Sequence, residues 1–263
     1  MIMARTRPDP VIIEPKAAPT GPEQTSAVIF LHGLADDGEA FRGKQASRPN
    51  CAQNDAPTQR PDLVNQYQNA DKLPHTLWVL PTAAENRDVM SRAWYIPSQL
   101  NPRPAPRPEL EDEEDYEGIM ESCKYIISIV KDLNARDIPT DRIAVGGFSQ
   151  GCAVSLVLGL ASEYAGRFAG IFGLMGYLPL EQQLESIKKD HAPEADVVDQ
   201  PIMIARGTQD MLVPSRYFKS CVAALEALQI RKIDTHEYNI GHTLSGRALT
   251  DLCTFLEERC GFT

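Results

Sequence analysis

The sequence predicts an α/β protein: one mostly parallel central sheet with helices on both faces. Three observations predict it. Short apolar runs of strand length recur at residues 28–31, 77–80, 143–145 and 201–205, and an unbroken apolar run is what a strand covered on both faces needs. Stretches with apolar residues at helical spacing separate or follow them, over residues 116–136, 152–160, 215–228 and 245–258. Finally, Gly146-Gly147-Phe148-Ser149-Gln150-Gly151 stands directly between an apolar run and a helical stretch, giving strand, tight turn and helix with a serine at the apex.

Taken in chain order, residues 1–10 are expected to be disordered, and Val11-Ile12-Ile13 is a short first strand opening one domain over 11–263. Val28-Ile29-Phe30-Leu31 is a core strand. Residues 43–70 are polar, rich in Asn, Gln, Asp and Pro, and read as an inserted surface loop whose end turns helical. Leu77-Trp78-Val79-Leu80 is the next core strand. Residues 98–115 form a proline-rich and then acidic loop. The alternating prolines from Asn101 to Pro108 force an extended backbone, here read as bordering a site rather than as a partner ligand. The acids from Glu109 to Glu117 precede a helix over 116–136, whose inward residues are Ile119, Ile126, Ile127 and Val130. Acids at a helix start offset its positive end, a simpler account than an acidic binding patch. Pro201-Ile202-Met203-Ile204-Ala205 is a buried strand, and 233–238 alternates as a half-exposed one. Two helices, over 215–228 and 245–258, close the chain.

Composition narrows the function classes. The 263 residues are 43% hydrophobic, enough for a substantial core. A net charge of −10 argues against nucleic acid and anionic membrane surfaces as main partners. The six cysteines show no paired C-x-x-C spacing, and Cys123, Cys152, Cys221 and Cys253 fall in apolar helical patterns that suit core thiols. No signal peptide or transmembrane run is evident, so a cytoplasmic and possible nuclear setting is the expectation. No metal and no cofactor are expected, since no two histidines have the spacing of a helical ligand pair.

The serine turn carries the chemistry. In the G-x-S-x-G elbow the serine needs positive φ, and its neighbours two positions away must be small so that strand and helix can pass closely. Such a nucleophile needs a carboxylate and then a histidine further along the chain. Asp210 follows the strand at 201–205, at the carboxyl end where open α/β sheets keep their chemistry. Asp190, Glu194, Asp196 and Asp199 lie in a polar stretch without a strand to hold them. Of the histidines after Asp210, His236 sits inside an alternating strand, facing solvent or a helix, while His242 lies in the loop beyond it. The expected triad is therefore Ser149, Asp210 and His242. Backbone N–H groups of Gln150 and of Leu34, in His32-Gly33-Leu34 after the second strand, are the expected oxyanion donors. His32 is expected to brace that loop. Loop residues near Leu34, Trp94 and Leu178 are expected to line an apolar channel beside the site.

Together, Leu31-His32-Gly33-Leu34-Ala35-Asp36, Gly147-Phe148-Ser149-Gln150-Gly151, Gly176-Tyr177-Leu178-Pro179-Leu180, Gly207-Thr208-Gln209-Asp210 with Val213-Pro214, and Gly241-His242 resemble the phospholipase/carboxylesterase family of α/β-hydrolases, which includes the acyl-protein thioesterases. The resemblance runs from about Val11 to about Leu256. It implies a cytosolic serine hydrolase acting on acyl thioesters or esters, with S-acylated proteins or lysophospholipids as substrates, the same triad, and a weak homodimer left open. Departures touch the substrate more than the chemistry: Ala35 in place of a usual glycine, Arg206 in place of a common histidine, Met211 in place of a usual proline, and a longer segment after Phe41. Residues 89–97, with Trp94, match the family's tryptophan-containing loop only loosely. A small-ester carboxylesterase, a lysophospholipase or a secondary-metabolite esterase would share the catalytic residues. A hydrolase-fold ligand-binding protein is the non-enzymatic alternative.

Overall fold

The structure, a computed structural model, describes residues 7–42, 62–103 and 113–263. Seven strands form one sheet: β1 (Val11–Ile13), β2 (Ser26–Leu31), β3 (Thr76–Leu80), then, after a two-stranded hairpin of β4 (Glu85–Asn86) and β5 (Ser91–Arg92), β6 (Ile143–Phe148), β7 (Gly170–Leu174), β8 (Ile202–Gly207) and β9 (Ile233–Tyr238). Their spatial order is β1-β3-β2-β6-β7-β8-β9. Only β1 runs antiparallel, pairing at the edge with β3; all other neighbours are parallel. Parallel pairing requires crossovers, and helices supply them: α1 (Leu63–Asn69), α2 (Tyr116–Asn134), α3 (Gln150–Ala161), α4 (Leu184–His191) and α5 (Ser215–Ala227); α6 (Gly246–Glu258) follows the last strand.

The strand period divides the core in two. Ala27, Ile29 and Leu31 of β2, with Ile143 and Val145 of β6, face a cluster built from α2, α3, α4 and α5. Val28, Phe30 and Ala144 point the other way, onto α1 and α6, as successive side chains of a strand must. All twelve residues of α3 are buried, so this helix is apolar all round and fixes the turn before it.

The inserted segment 43–70 ends in α1, capped by Asp62, while 43–61 lie outside the described residues. Residues 104–112 of the proline-rich and acidic segment also lie outside them, as do 1–6; Arg7 is placed, its guanidinium 4.6 Å from the Tyr125 ring centroid. Asp115 caps α2 by accepting the Gly118 N–H. The inward face of α2 is corrected at one position: Ile129 is buried and Ile127 only half-buried, because Ile126, Ile129, Val130 and Leu133 keep the three- and four-residue spacing of one helical stripe. Strand β7 and helix α4 were not expected. Among the described residues no helix is long and apolar enough to cross a membrane.

Candidate active site

Ser149 sits between β6 and α3 with φ 55° and ψ −115°, a backbone conformation that costs a non-glycine residue on the order of 1–3 kcal/mol. The surrounding packing holds it there. The Ser149 N–H donates to the Leu174 carbonyl at the end of β7, at 2.8 Å. A Cβ at Gly147 or at Gly151 would run into the same Leu31 carbonyl oxygen of β2. Glycine at both positions is thus what lets β6 and α3 close on the neighbouring strand and push the serine outward.

Asp210 lies three residues past the end of β8. Its Oδ1 accepts the N–H groups of Leu212 (2.8 Å) and Val213 (2.9 Å), so the chain folds back around the carboxylate. Its Oδ2 accepts Nδ1–H of His242 at 2.7 Å. The His242 loop is carried in by pairing with this segment: Thr208 N–H donates to the Tyr238 carbonyl and Gln209 N–H to the Ile240 carbonyl. Nε2 of His242 is 2.9 Å from Ser149 Oγ, and the Phe148 ring packs 4.9 Å from the imidazole. The Asp210 side chain is 1% exposed and that of His242 13%. Burial pushes the Asp210 carboxyl up, but the hydrogen bonds from His242 and Val213, the attraction of an imidazolium at His242 and the Leu212 bond outweigh it and hold it below its ordinary value. A carboxylate can only accept, so Nδ1 carries the proton and Nε2 is left to accept from the serine hydroxyl. His236 is elsewhere, in register with Ala205 on β9, its Nδ1 3.5 Å from Asp251 of α6.

The loop after β2 comes up beside the serine. A Cβ on Gly33 would lie 2.9 Å from the Phe148 ring and 3.3 Å from Ser149 Cβ, and Leu34 is the next residue of that loop. Gln150 is the first residue of α3, so its N–H is among those a helix leaves unpaired. His32 is fully buried: Nε2 accepts the Ala83 N–H at 3.0 Å and Nδ1 donates to the Gly33 carbonyl at 2.6 Å. With both ring nitrogens engaged it braces the loop.

Two of the expected channel residues, Trp94 and Leu178, are buried instead. Trp94 is 1% exposed, its indole N–H donated to the His32 carbonyl at 2.8 Å, and Leu178 is buried in the core beside α3. Apolar side chains offered to solvent by loops past the strand ends include Leu34 and Ile96 (39% each), Leu212 (66%) and Met211 (89%), with Met90 (91%) in the β4–β5 turn. Arg206 pairs with Glu237 of the adjacent strand at 3.0 Å. The Gln150 side chain also has a part that the motif alone does not disclose: it reaches across to the Trp94–Tyr95 backbone.

Comparison with known proteins places the chain in a family. A family model described as Phospholipase/Carboxylesterase matches residues 59–259. Acyl-protein thioesterase 1 of Schizosaccharomyces pombe is 31% identical over 95% of this chain and 96% of its own length. The protein of the same name from Yarrowia lipolytica is 28% identical over 91% and 94%. Among solved structures, acyl-protein thioesterase 2 of Zea mays superimposes with a TM-score of 0.69 at 20% identity, covering 96% of this chain and 99% of that one. Esterase PE8 gives 0.69 at 20% identity over 95% and 98%. At those identities the structures speak for the α/β-hydrolase fold alone, whereas the matched family model and the S. pombe relative speak for descent. The chain belongs to the phospholipase/carboxylesterase family of serine hydrolases.

Proposed function

We propose that this enzyme hydrolyses long-chain acyl thioesters, as an acyl-protein thioesterase does, with Ser149 as nucleophile, His242 as general base and Asp210 as its orienting carboxylate. The observation that carries the reading is the bridging imidazole, 2.7 Å from Asp210 on one side and 2.9 Å from Ser149 on the other. The names of the curated relatives support the thioester class, and exposed Leu34, Ile96 and Leu212 offer apolar surface for a chain.

The steps follow from the geometry. As Oγ attacks the acyl carbonyl carbon, its proton passes to Nε2 and the carbonyl π pair moves onto oxygen. Leu34 and Gln150 N–H groups hold that oxyanion, and Asp210 stabilises the imidazolium. Collapse breaks the C–S bond; the sulfur takes the proton from Nε2 and leaves, with the acyl group on Ser149. Water then gives a proton to Nε2 as its oxygen attacks, the C–Oγ bond breaks, Oγ regains the proton, and the fatty acid departs. A thiolate is a good leaving group, so the site favours thioesters and esters over amides.

Two measurements test this. A fluorophosphonate probe is expected to label the wild-type protein and not Ser149→Ala; labelling that survives the substitution removes Ser149 from the role. Matched oxygen and sulfur esters of rising chain length are expected to give the highest kcat/KM with long-chain thioesters. A maximum at short oxygen esters would identify a carboxylesterase of small substrates, and a maximum with lysophospholipids a lysophospholipase.

A further inference from the structure

Resting on the reading of Leu34 and Gln150 as oxyanion donors, we infer that the side chain of Gln150 is a positioning residue that ties the two donors into one unit through the backbone of residues 92–95. The Gln150 side chain is buried, and its amide meets that segment at both ends. Oε1 accepts the Trp94 N–H at 3.0 Å, and Nε2 donates to the Tyr95 carbonyl at 3.0 Å. The same segment holds the other donor loop. Trp94 Nε1–H donates to the His32 carbonyl at 2.8 Å, and the Arg92 carbonyl accepts the Ala35 N–H at 2.9 Å. Leu34 lies between these two attachment points. Ser122 of α2 adds a fixed support by donating its hydroxyl to the Trp94 carbonyl.

The consequence is geometric. One donor sits on α3 and the other on the loop after β2, two elements that could drift apart if only the sheet joined them. The backbone of 92–95 spans them, and an amide side chain, with one acceptor and one donor, suits an N–H and a C=O presented side by side. Glutamate would keep the acceptor and lose the donor; methionine would keep the bulk and lose both. Because an oxyanion donor acts only at the geometry of the tetrahedral intermediate, loosening this brace should lower kcat and spare KM. A small displacement is enough, since an error near 1 Å can cost about 100-fold.

The test uses full-length Gln150→Glu, Gln150→Met and Trp94→Phe, the last removing the indole N–H bond to His32 together with part of a buried ring that packs on His32 and Tyr125. Rates are normalised to Ser149 titrated with the fluorophosphonate, so any unfolded fraction drops out. Each variant is expected to lose roughly 10- to 100-fold in kcat with KM within about twofold. Affinity for an acyl trifluoromethyl ketone, a mimic of the tetrahedral intermediate, should fall in parallel. The double variant Gln150→Glu/Trp94→Phe should lose less than the product of the single losses, because both cut one connected brace. Normalised kcat and ketone affinity at wild-type levels in Gln150→Glu and Trp94→Phe overturn the inference, even with Ser149→Ala inactive. Survival of activity in Ser149→Ala would instead overturn the functional reading on which it rests.

Discussion

At the scale of single residues, the site depends on how few groups reach the reacting atoms. Ser149→Ala is expected to cut turnover by roughly 10⁴- to 10⁶-fold, and Asp210→Asn, which changes the hydrogen-bond partner of Nδ1, by about 10⁴-fold. His236→Ala is expected to stay within about twofold of wild type, because His236 bonds toward Asp251 and not toward Ser149. Steady-state kinetics on one thioester substrate checks all three, and a comparable loss at both histidines would transfer the base role away from His242. Gly151→Ala should destabilise the fold by about 1–3 kcal/mol in denaturant titration, since the new methyl meets the Leu31 carbonyl. Motif order and the position of Asp210 and His242 beyond strand ends pointed to these residues as candidates, and the structure brings their side chains together. The part of Gln150 was not legible, because its partners are backbone groups 55 and 56 residues away. Trp94 misled for a related reason: an aromatic beside a site can line a cleft or support its floor, and only its hydrogen bond to His32 separates the two.

Among the elements, the continuous apolar runs made β2, β3, β6 and β8 readable, and the helical stripes made α2, α5 and α6 readable. Strand β7 escaped because two of its five residues are glycine, which weakens the strand signal. Its glycines answer to packing: a Cβ on Gly173 would strike Cys152 Sγ of α3, and one on Gly170 would crowd Cys260 Sγ and Phe255. Helix α4 escaped because it is eight residues long with only Leu184 and Ile187 buried. The same close packing silences the thiols. Burial pushes Cys123 and Cys221 up to about 12 and Cys253 to about 11, and raises Cys152 and Cys260 as well. Since the thiolate is the reactive form, the five described cysteines should resist a disulfide-exchange reagent at pH 8 until the protein unfolds. Cys51→Ser is expected to leave no fast-reacting thiol in the native protein and five in denaturant; rapid reaction of even one in the native variant would contradict the packing of these helices.

For the whole molecule, acid stability brings together two carboxyls whose environments act in opposite directions. Glu114, just before α2, accepts the Leu180 N–H and bonds to Tyr177; burial raises its pKa from 4.5, the Leu180 and Tyr177 bonds oppose the rise, and nearby Glu181 adds to it. A folded-state pKa above the unfolded one means that the native state binds more protons in that interval, so stability falls as pH rises through it and returns on acidification toward 4.5. Asp210, held below 3.8, behaves the other way: its contribution is present above 3.8 and is lost as pH falls through the lowered value. Acidification from neutrality should therefore first relieve the strain of the half-buried Glu114 charge and only later remove the Asp210–His242 bond. Thermal melts of wild type and Glu114→Gln across pH 3–8 can separate the two. Gln cannot titrate but keeps an oxygen for the Leu180 N–H, so the variant should match or exceed wild-type Tm at neutral pH, with the difference shifting toward wild type as pH approaches 4.5 and flat below it. A difference that is constant from pH 8 to pH 4 would mean that Glu114 titrates alike in the folded and unfolded chain, and would remove the burial account of its position between α2 and Leu180.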